Sequence, residues 1–474
     1  MKSKNNLWFW IVITIYVLIT VLRVLNHQPW FDEAHAWHIA QEKNLLEVIQ
    51  LMPVEGHTFI WYLLLMPFAK TNFHYPWPMF ILNYTFALVS VIILWKKAPL
   101  HNITKTIITF SFPFFACLPV LARCYSIGVM LLFIILAVYK DRLKHPLIYS
   151  TLIILAANTS VMILFGAAAF GFMFAYDLIR SSLKNKISNK DFIVSFCIMA
   201  LGAVLIMWQL GSFSKLCTAG TGHFGNNIFN FMLKKSVIMS WFSALSFIFA
   251  AIVIFVCNIV AKNRSALFLY LFSLGGLLFC FLFVYPGWVH HFIFLYIYFL
   301  TGVWLLFQTG RRVIIAEILL AMAFLGFMDV NKRSNIIYFK SSSKAMAETI
   351  LNDDKLRNSR IIVFDASSKR FLPYVAGKNI DIWDYCTGAP IDSSIVMNHN
   401  TPICTISKKT NYAPYIKKVM AKDKETYSID SVLEGNYYRN NYIVEDSGIK
   451  ILFELYKQVP ESGYLFYKTT IIDN

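Results

Sequence analysis

Residues 7–25 read LWFWIVITIYVLITVLRVL, an apolar run that contains a single charge, Arg23, near its end. Runs of about 20 apolar residues are typical of membrane-spanning helices. Comparable runs recur along the first two thirds of the chain and predict eleven spans, at 7–25, 77–95, 105–122, 123–139, 147–157, 160–179, 192–210, 237–260, 266–285, 288–307 and 313–328. The predicted fold class is therefore mostly α, a polytopic transmembrane helical bundle.

The composition excludes both a soluble enzyme and a disordered chain. Of the 474 residues, 57% are hydrophobic and only 15% are charged, whereas a soluble domain is about one quarter charged. The net charge is +17, which in a soluble protein would suggest nucleic acid. Here the basic residues lie mainly in short loops between spans, where they set orientation, so no nucleic-acid partner is predicted and the lipid bilayer is.

Charge also decides the topology. The apolar stretch Thr58–Ala69 is short enough to be interfacial or re-entrant, and if it does not cross, most basic loops fall on one side of the membrane, as the positive-inside rule requires. The first run resembles a signal peptide after Lys2 and Lys4, but it is too long and lacks a small-residue cleavage site. We therefore expect a retained first span, a cytoplasmic N-terminus and an extracytoplasmic C-terminus.

The composition changes abruptly near residue 328. Residues 1–328 form the predicted membrane domain, with a first external loop at 26–76, and residues 329–474 form a small extracytoplasmic α/β domain. Its predicted elements are a helix at Lys344–Leu351 and strands at Ile361–Phe364, Ile403–Ile406, Asn441–Val444 and Tyr464–Thr470. Cys386 and Cys404 could pair there if the compartment is oxidising.

The first external loop carries two adjacent carboxylates, Asp32 and Glu33, followed by His35. Burial among the neighbouring aromatic residues would raise the pKa of a carboxylate and strengthen it as a base. The structural alternative is that Asp32 is a helix N-cap and that Glu33 occupies the favourable first turn.

Three further polar features belong to the same predicted face. His57 precedes an aromatic, Leu-rich stretch, Arg123 and Tyr125 open an outer span, and His290 and His291 begin another. The structural alternatives are an interfacial turn for His57 and a snorkelling cation for Arg123. Adjacent histidines point about 100° apart on a helix, so we do not expect them to chelate one metal ion together.

A carboxylate, cations and histidines on one membrane face suit displacement at a sugar carbon whose leaving group is a lipid-held phosphate. The carboxylate would deprotonate the incoming hydroxyl, and the cations would stabilise the departing phosphate. The rival prediction is a lipid or solute transporter or flippase without transferase activity. Such proteins place charged residues within their spans and contain inverted repeats, and this sequence shows neither feature.

These motifs, in this order, resemble the C-type membrane glycosyltransferases, which include protein O-mannosyltransferases and lipid A aminoarabinose transferases. The resemblance covers roughly residues 1–310 and implies a polyprenyl-phosphate-sugar donor, an extracytoplasmic acceptor, transfer with inversion and a bacterial plasma (inner) membrane location. It implies that Asp32 is the base and that Glu33 belongs to the catalytic pair. Donor-phosphate or substrate binding then falls to His35, His57, Arg123, Tyr125, His290 and His291.

The chain departs from the family pattern at the late histidines, because Trp288 and Val289 stand where an arginine commonly precedes them. Arg123, Lys70, Lys234 or Lys235 would then bind the phosphate. No cofactor is predicted. The sequence does not decide whether a divalent metal is used: the resemblance implies that a metal is dispensable for many members of the family, and the sequence shows no complete ligand set.

Overall fold

The computed structural model describes residues 2–71, 73–211, 264–281, 289–310, 312–326, 343–363, 371–384, 388–391, 413–431, 441–459 and 464–472. The fold is mostly helical, with one sheet near the C-terminus. The chain divides into two compact units, of which unit 1 comprises Met1–Asn26, Leu45–Leu64 and Met79–Ile337. Unit 2 comprises His27–Asn44, Leu65–Pro78 and Tyr338–Asn474, so it takes in two segments of the predicted domain 1–328.

The α-helices of the first two thirds of the chain range from eight to 24 residues in length. They are α1 (Lys2–Leu25), α2 (Phe31–Glu42), α3 (Leu45–Glu55), α4 (Ile60–Ala69), α5 (Trp77–Lys97), α6 (Asn102–Thr109), α7 (Tyr125–Ala137), α8 (Pro146–Ala157), α9 (Val161–Ser182), α10 (Asn189–Leu210), α11 (Arg264–Phe279), α12 (Val289–Thr309) and α13 (Ile314–Gly326). A six-residue π-helix, Phe112–Cys117, lies between α6 and α7.

Among the described residues, five helices are long and apolar enough to cross a membrane. These are Asn6–Leu25, Trp77–Lys97, Val161–Ser182, Asn189–Leu210 and His290–Thr309. Four further predicted spans correspond to shorter apolar helices, Tyr125–Ala137, Pro146–Ala157, Arg264–Phe279 and Ile314–Leu325. The span predicted at 237–260 lies outside the described residues. The structure thus indicates a helical membrane protein, and the count of eleven crossings stays a prediction.

The span predicted at 105–122 is not one helix. Helix α6 ends at Thr109, and the π-helix begins after Ser111 with Pro113 near its start. Proline has no N–H to continue an α-helical ladder, which accounts for the break. The stretch predicted to be too short to cross, Thr58–Ala69, contains the ten-residue helix α4.

Small residues allow close helix packing in unit 1. A Cβ on Gly166 of α9 would lie 2.5 Å from the ring of Tyr298 on α12. The Tyr298 hydroxyl accepts a hydrogen bond from Gly166 N at 2.9 Å and donates one to Met162 O at 2.5 Å. Close approach at glycine combined with an interhelical hydrogen bond is how membrane helices commonly associate.

Unit 2 is built around a seven-stranded sheet. Its strands are β1 (Arg360–Val363), β2 (Asp381–Asp384), β3 (Ala389–Pro390), β4 (Thr426–Ser431), β5 (Asn441–Asp446), β6 (Ile449–Gln458) and β7 (Tyr464–Ile472), in the order β3-β2-β1-β4-β7-β6-β5. The helices of this region are α14 (Ser343–Leu351), α15 (Asp354–Asn358), α16 (Leu372–Val375) and α17 (Ala413–Val419). The strand β1 pairs in parallel with β2 and β4, and the remaining pairs are antiparallel.

Both faces of the sheet are covered. Ile361 and Val363 of β1 pack in one core with residues of α14, α15 and α16, whereas Ile362 packs on the other face with residues of α17. Burial on both faces explains why β1 is continuously apolar. The predicted α/β character is confirmed, as are the helix at 344–351 and the strands at 361–363, 441–444 and 464–470. The strand predicted at Ile403–Ile406 lies outside the described residues.

Candidate functional site

The first group of predicted site residues to come together joins two distant parts of unit 1. The Arg123 guanidinium donates from Nη2 to Nε2 of His57 at 3.0 Å. Both side chains are buried. Because a guanidinium only donates, Nε2 of His57 is the acceptor and the neutral ring carries its proton on Nδ1. This Nδ1 is buried and makes no hydrogen bond to any described residue.

Tyr125 connects this pair to the late histidines. A hydrogen bond of 2.8 Å joins Tyr125 Oη and His291 Nε2. The Tyr125 ring also contacts the His57 ring edge-on, with a centroid distance of 5.7 Å, and its centroid lies 5.9 Å from that of the His290 ring. The centroids of the two histidine rings are 4.0 Å apart, and both side chains are buried. We call these five residues, His57, Arg123, Tyr125, His290 and His291, the histidine–arginine cluster.

Local structure places these side chains. Gly56 has a φ of +66°, which lets the chain turn sharply after α3 and brings His57 inward. Gln209 of α10 then holds the start of α4, because its Oε1 accepts from Phe59 N at 3.1 Å. Its Nε2 donates to Asn158 Oδ1 at 2.9 Å. A single buried amide therefore ties the His57 turn to two other parts of the bundle.

The electrostatics of the histidine–arginine cluster favour an anion. Burial, and then the Arg123 charge, lowers the pKa of His57 to about 3, despite the opposing influence of Glu55. His57 is therefore neutral between pH 5 and 8, and Arg123 supplies the positive charge. Tyr125 begins α7, and His290 and His291 lie in the first turn of α12. Helix N-termini carry a partial positive charge and present free N–H groups to anions.

The carboxylate pair lies in unit 2, at the start of α2. Glu33 is fully buried, and its Oε2 accepts from Trp30 N at 2.6 Å. It also pairs with His27, whose Nε2 lies 2.8 Å from Oε2. The N-cap is Trp30, so the alternative that Asp32 is the N-cap is wrong. Glu33 performs the capping instead, and this leaves the half-buried Asp32 outside the capping role.

Glu33→Ala is expected to destabilise unit 2. It removes a buried carboxylate that bonds His27 and caps α2 through Trp30 N, and losing the partner of a buried polar group costs about 1–3 kcal/mol. The measurement is the free energy of unfolding in detergent. Glu42→Ala is the matched control, since Glu42 is exposed at the far end of the same helix. Equal stability of the two variants would contradict the structural role of Glu33.

The other predicted candidates lie apart from these contacts or outside the described residues. His35 is half-buried on α2. Lys70 is exposed and donates to Gln41 O at 3.5 Å, while Lys234 and Lys235 are not among the described residues. Neither are Cys386 and Cys404. Among the residues that the structure describes, no three His, Cys, Asp or Glu side chains gather as metal ligands.

Sequence reasoning missed three residues beside the candidates. Glu55 accepts a hydrogen bond from Tyr62 Oη at 3.1 Å and acts electrostatically on His57; its position just before Gly56 was the signal. Tyr75 and Tyr374 lie near Glu33, whose charge contributes to raising the pKa of both phenols. For Tyr374 the sequence carries no local signal, because 341 positions separate the two residues.

Together, these features define a helical membrane protein with a buried anion-favouring cluster in one unit and a buried carboxylate in the other. Comparison with known proteins adds no family: no protein-family model, no curated protein and no solved structure matches the chain. Its function is therefore argued from its own residues.

Proposed function

We propose that this chain is an integral membrane glycosyltransferase that transfers a sugar from a polyprenyl-phosphate donor to an extracytoplasmic acceptor, with inversion. The observation that supports it most is the histidine–arginine cluster. Arg123 supplies a buried positive charge and bonds Nε2 of His57, while Nδ1 of the same ring is a buried donor with no hydrogen-bond partner among the described residues. A phosphate is an anion and accepts hydrogen bonds, and a hydrogen bond from a guanidinium to a phosphate is charge-assisted and strong.

The proposed reaction is a single displacement. The Asp32 carboxylate takes the proton of the acceptor hydroxyl, and the resulting oxygen forms a bond to the anomeric carbon of the sugar. The bond from this carbon to the phosphate oxygen breaks, and its electron pair leaves with the polyprenyl phosphate. The charge that develops on this phosphate calls for cationic or hydrogen-bond-donating groups beside it. Attack on the face opposite the leaving group inverts the anomeric centre.

The arrangement of unit 2 supports the proposed location of the chemistry. The loop that carries Asp32 and Glu33 forms one compact unit with the C-terminal sheet. A loop and a domain that fold together lie on one side of a membrane, so an external Asp32 implies an external C-terminal domain. We accordingly propose a bacterial plasma-membrane protein whose N-terminus is cytoplasmic and whose C-terminal domain is extracytoplasmic.

The direct test is turnover by the purified protein in detergent. A panel of polyprenyl-phosphate-sugars is offered with water or a hydroxyl acceptor, and released polyprenyl phosphate and inverted product are measured. We expect release from at least one donor. If no donor is bound or consumed, while proteoliposomes that contain the protein move a lipid or solute across the bilayer, the proposal is wrong and the chain is a transporter or flippase.

A further inference from the structure

Three aromatic side chains meet in unit 2 near Glu33. The ring centroids of Trp37 of α2 and Tyr75 are 5.1 Å apart. Those of Tyr75 and Tyr374 are 4.8 Å apart in an edge-on contact, with an angle of 74° between the ring planes. Tyr374 belongs to α16, which packs against α2. Trp37 is buried, whereas the two tyrosines are half-buried. We call these three residues the aromatic cluster.

The hydroxyl of Tyr75 is the unusual part of the aromatic cluster. Tyr75 Oη is shielded from solvent, yet it makes no hydrogen bond to any residue in the described ranges. A buried hydroxyl without a partner costs free energy, and buried tyrosines normally find one. Burial and the neighbouring Glu33 charge raise the pKa of both Tyr75 and Tyr374. Both phenols are therefore neutral near pH 7 and able to donate.

The charges around the two hydroxyls select the kind of ligand. Besides the other tyrosine, the groups that act on them electrostatically are the carboxylates Glu33 and Glu348. Negative charge disfavours a phosphate or an acidic group, and a phenol that donates a hydrogen bond needs an acceptor, which a cation such as an ammonium group lacks. A ligand that matches both phenol rings and phenol donors has apolar C–H surface and several hydroxyl oxygens. A sugar ring has both.

We infer that Tyr75 and Tyr374 bind a sugar ring beside the Asp32–Glu33 segment. The inference rests on the proposed glycosyl transfer and deepens it. The C-terminal domain then contributes directly to the choice of sugar, through a residue on α16 that no motif in the first 310 residues predicts. Anion binding by the histidine–arginine cluster is a separate property of unit 1.

The test uses full-length protein in detergent and neutral methyl glycosides of mannose, glucose and galactose. Saturation-transfer NMR reports contact with the sugar ring protons, and titration gives a dissociation constant. Removing two hydroxyls that donate hydrogen bonds should weaken binding about tenfold in Tyr75→Phe/Tyr374→Phe. Tyr456→Phe is the matched control, because its hydroxyl bonds Asp353 elsewhere in unit 2.

The outcomes separate this inference from the proposed function. Sugar binding that weakens in the double variant but not in the control supports the inference, whether or not the protein transfers sugar. Absence of binding by the wild type overturns the inference, as does binding that the double variant retains. Turnover of a polyprenyl-phosphate-sugar tests the proposed function, and Tyr374→Phe alone provides a milder variant should the double variant unfold.

Discussion

Asp32→Asn is expected to abolish sugar transfer while leaving the protein folded. A positioned general base contributes about 10²–10⁴-fold to a rate, and an amide cannot accept the proton of the acceptor hydroxyl. Because Glu33 and not Asp32 caps α2 and pairs with His27, Asp32→Asn should cost less stability than Glu33→Ala. The measurement is the turnover number with a polyprenyl-phosphate-sugar, together with thermal unfolding in detergent.

Two matched variants isolate the role of Asp32. Glu42→Gln removes a negative charge from the exposed end of the same helix and should retain full turnover. Asp32→Glu keeps a base but displaces it by one methylene, and should retain part of the activity. Full turnover by Asp32→Asn would exclude Asp32 as the base, and a folding defect shared with Glu33→Ala would assign it a structural role.

The apolar runs predicted the helical part of the fold because length and hydropathy are local properties of the chain. The runs at 7–25, 77–95 and 160–179 coincide with long apolar helices. The single span predicted from the run at 105–122 is wrong, because Pro113 interrupts the helical hydrogen-bond ladder within an otherwise apolar stretch. Hydropathy alone does not register a missing N–H.

A strand of the sheet could be predicted from the sequence where both of its faces are buried, because such a strand consists of apolar residues. The strand at 361–363 is buried on both faces and reads as a continuous apolar run. The strands β2 and β4 alternate with polar residues such as Asp381, Ser428 and Asp430, and their pairing with β1 depends on residues far along the chain. Sequence patterns carry little information about such long-range pairing.

The histidine–arginine cluster was only partly visible in the sequence. The shared sidedness of His57, Arg123 and His290 predicted a common face. The structure brings Arg123 into contact with His57, and the ring of Tyr125 lies next to those of His57 and His290. The direction of the hydrogen bonds, and with it the buried Nδ1 of His57, follows from three-dimensional geometry alone. The capping of α2 by Glu33 also follows from the geometry alone, since the sequence offered Asp32 as the N-cap and the structure has Trp30 at that position.

Arg123→Ala is expected to weaken binding of polyprenyl phosphate about 100-fold, because a hydrogen bond to a charged group contributes about 1.5–3 kcal/mol. Arg123→Lys keeps the charge but loses the planar fork, so we expect a loss of about tenfold. The measurement is the inhibition constant of sugar-free polyprenyl phosphate, which isolates the phosphate from the sugar. Arg142→Lys serves as control, since Arg142 pairs with Asp177 and stacks on Tyr139 instead. Unchanged inhibition in a folded Arg123→Ala protein would show that the phosphate binds elsewhere.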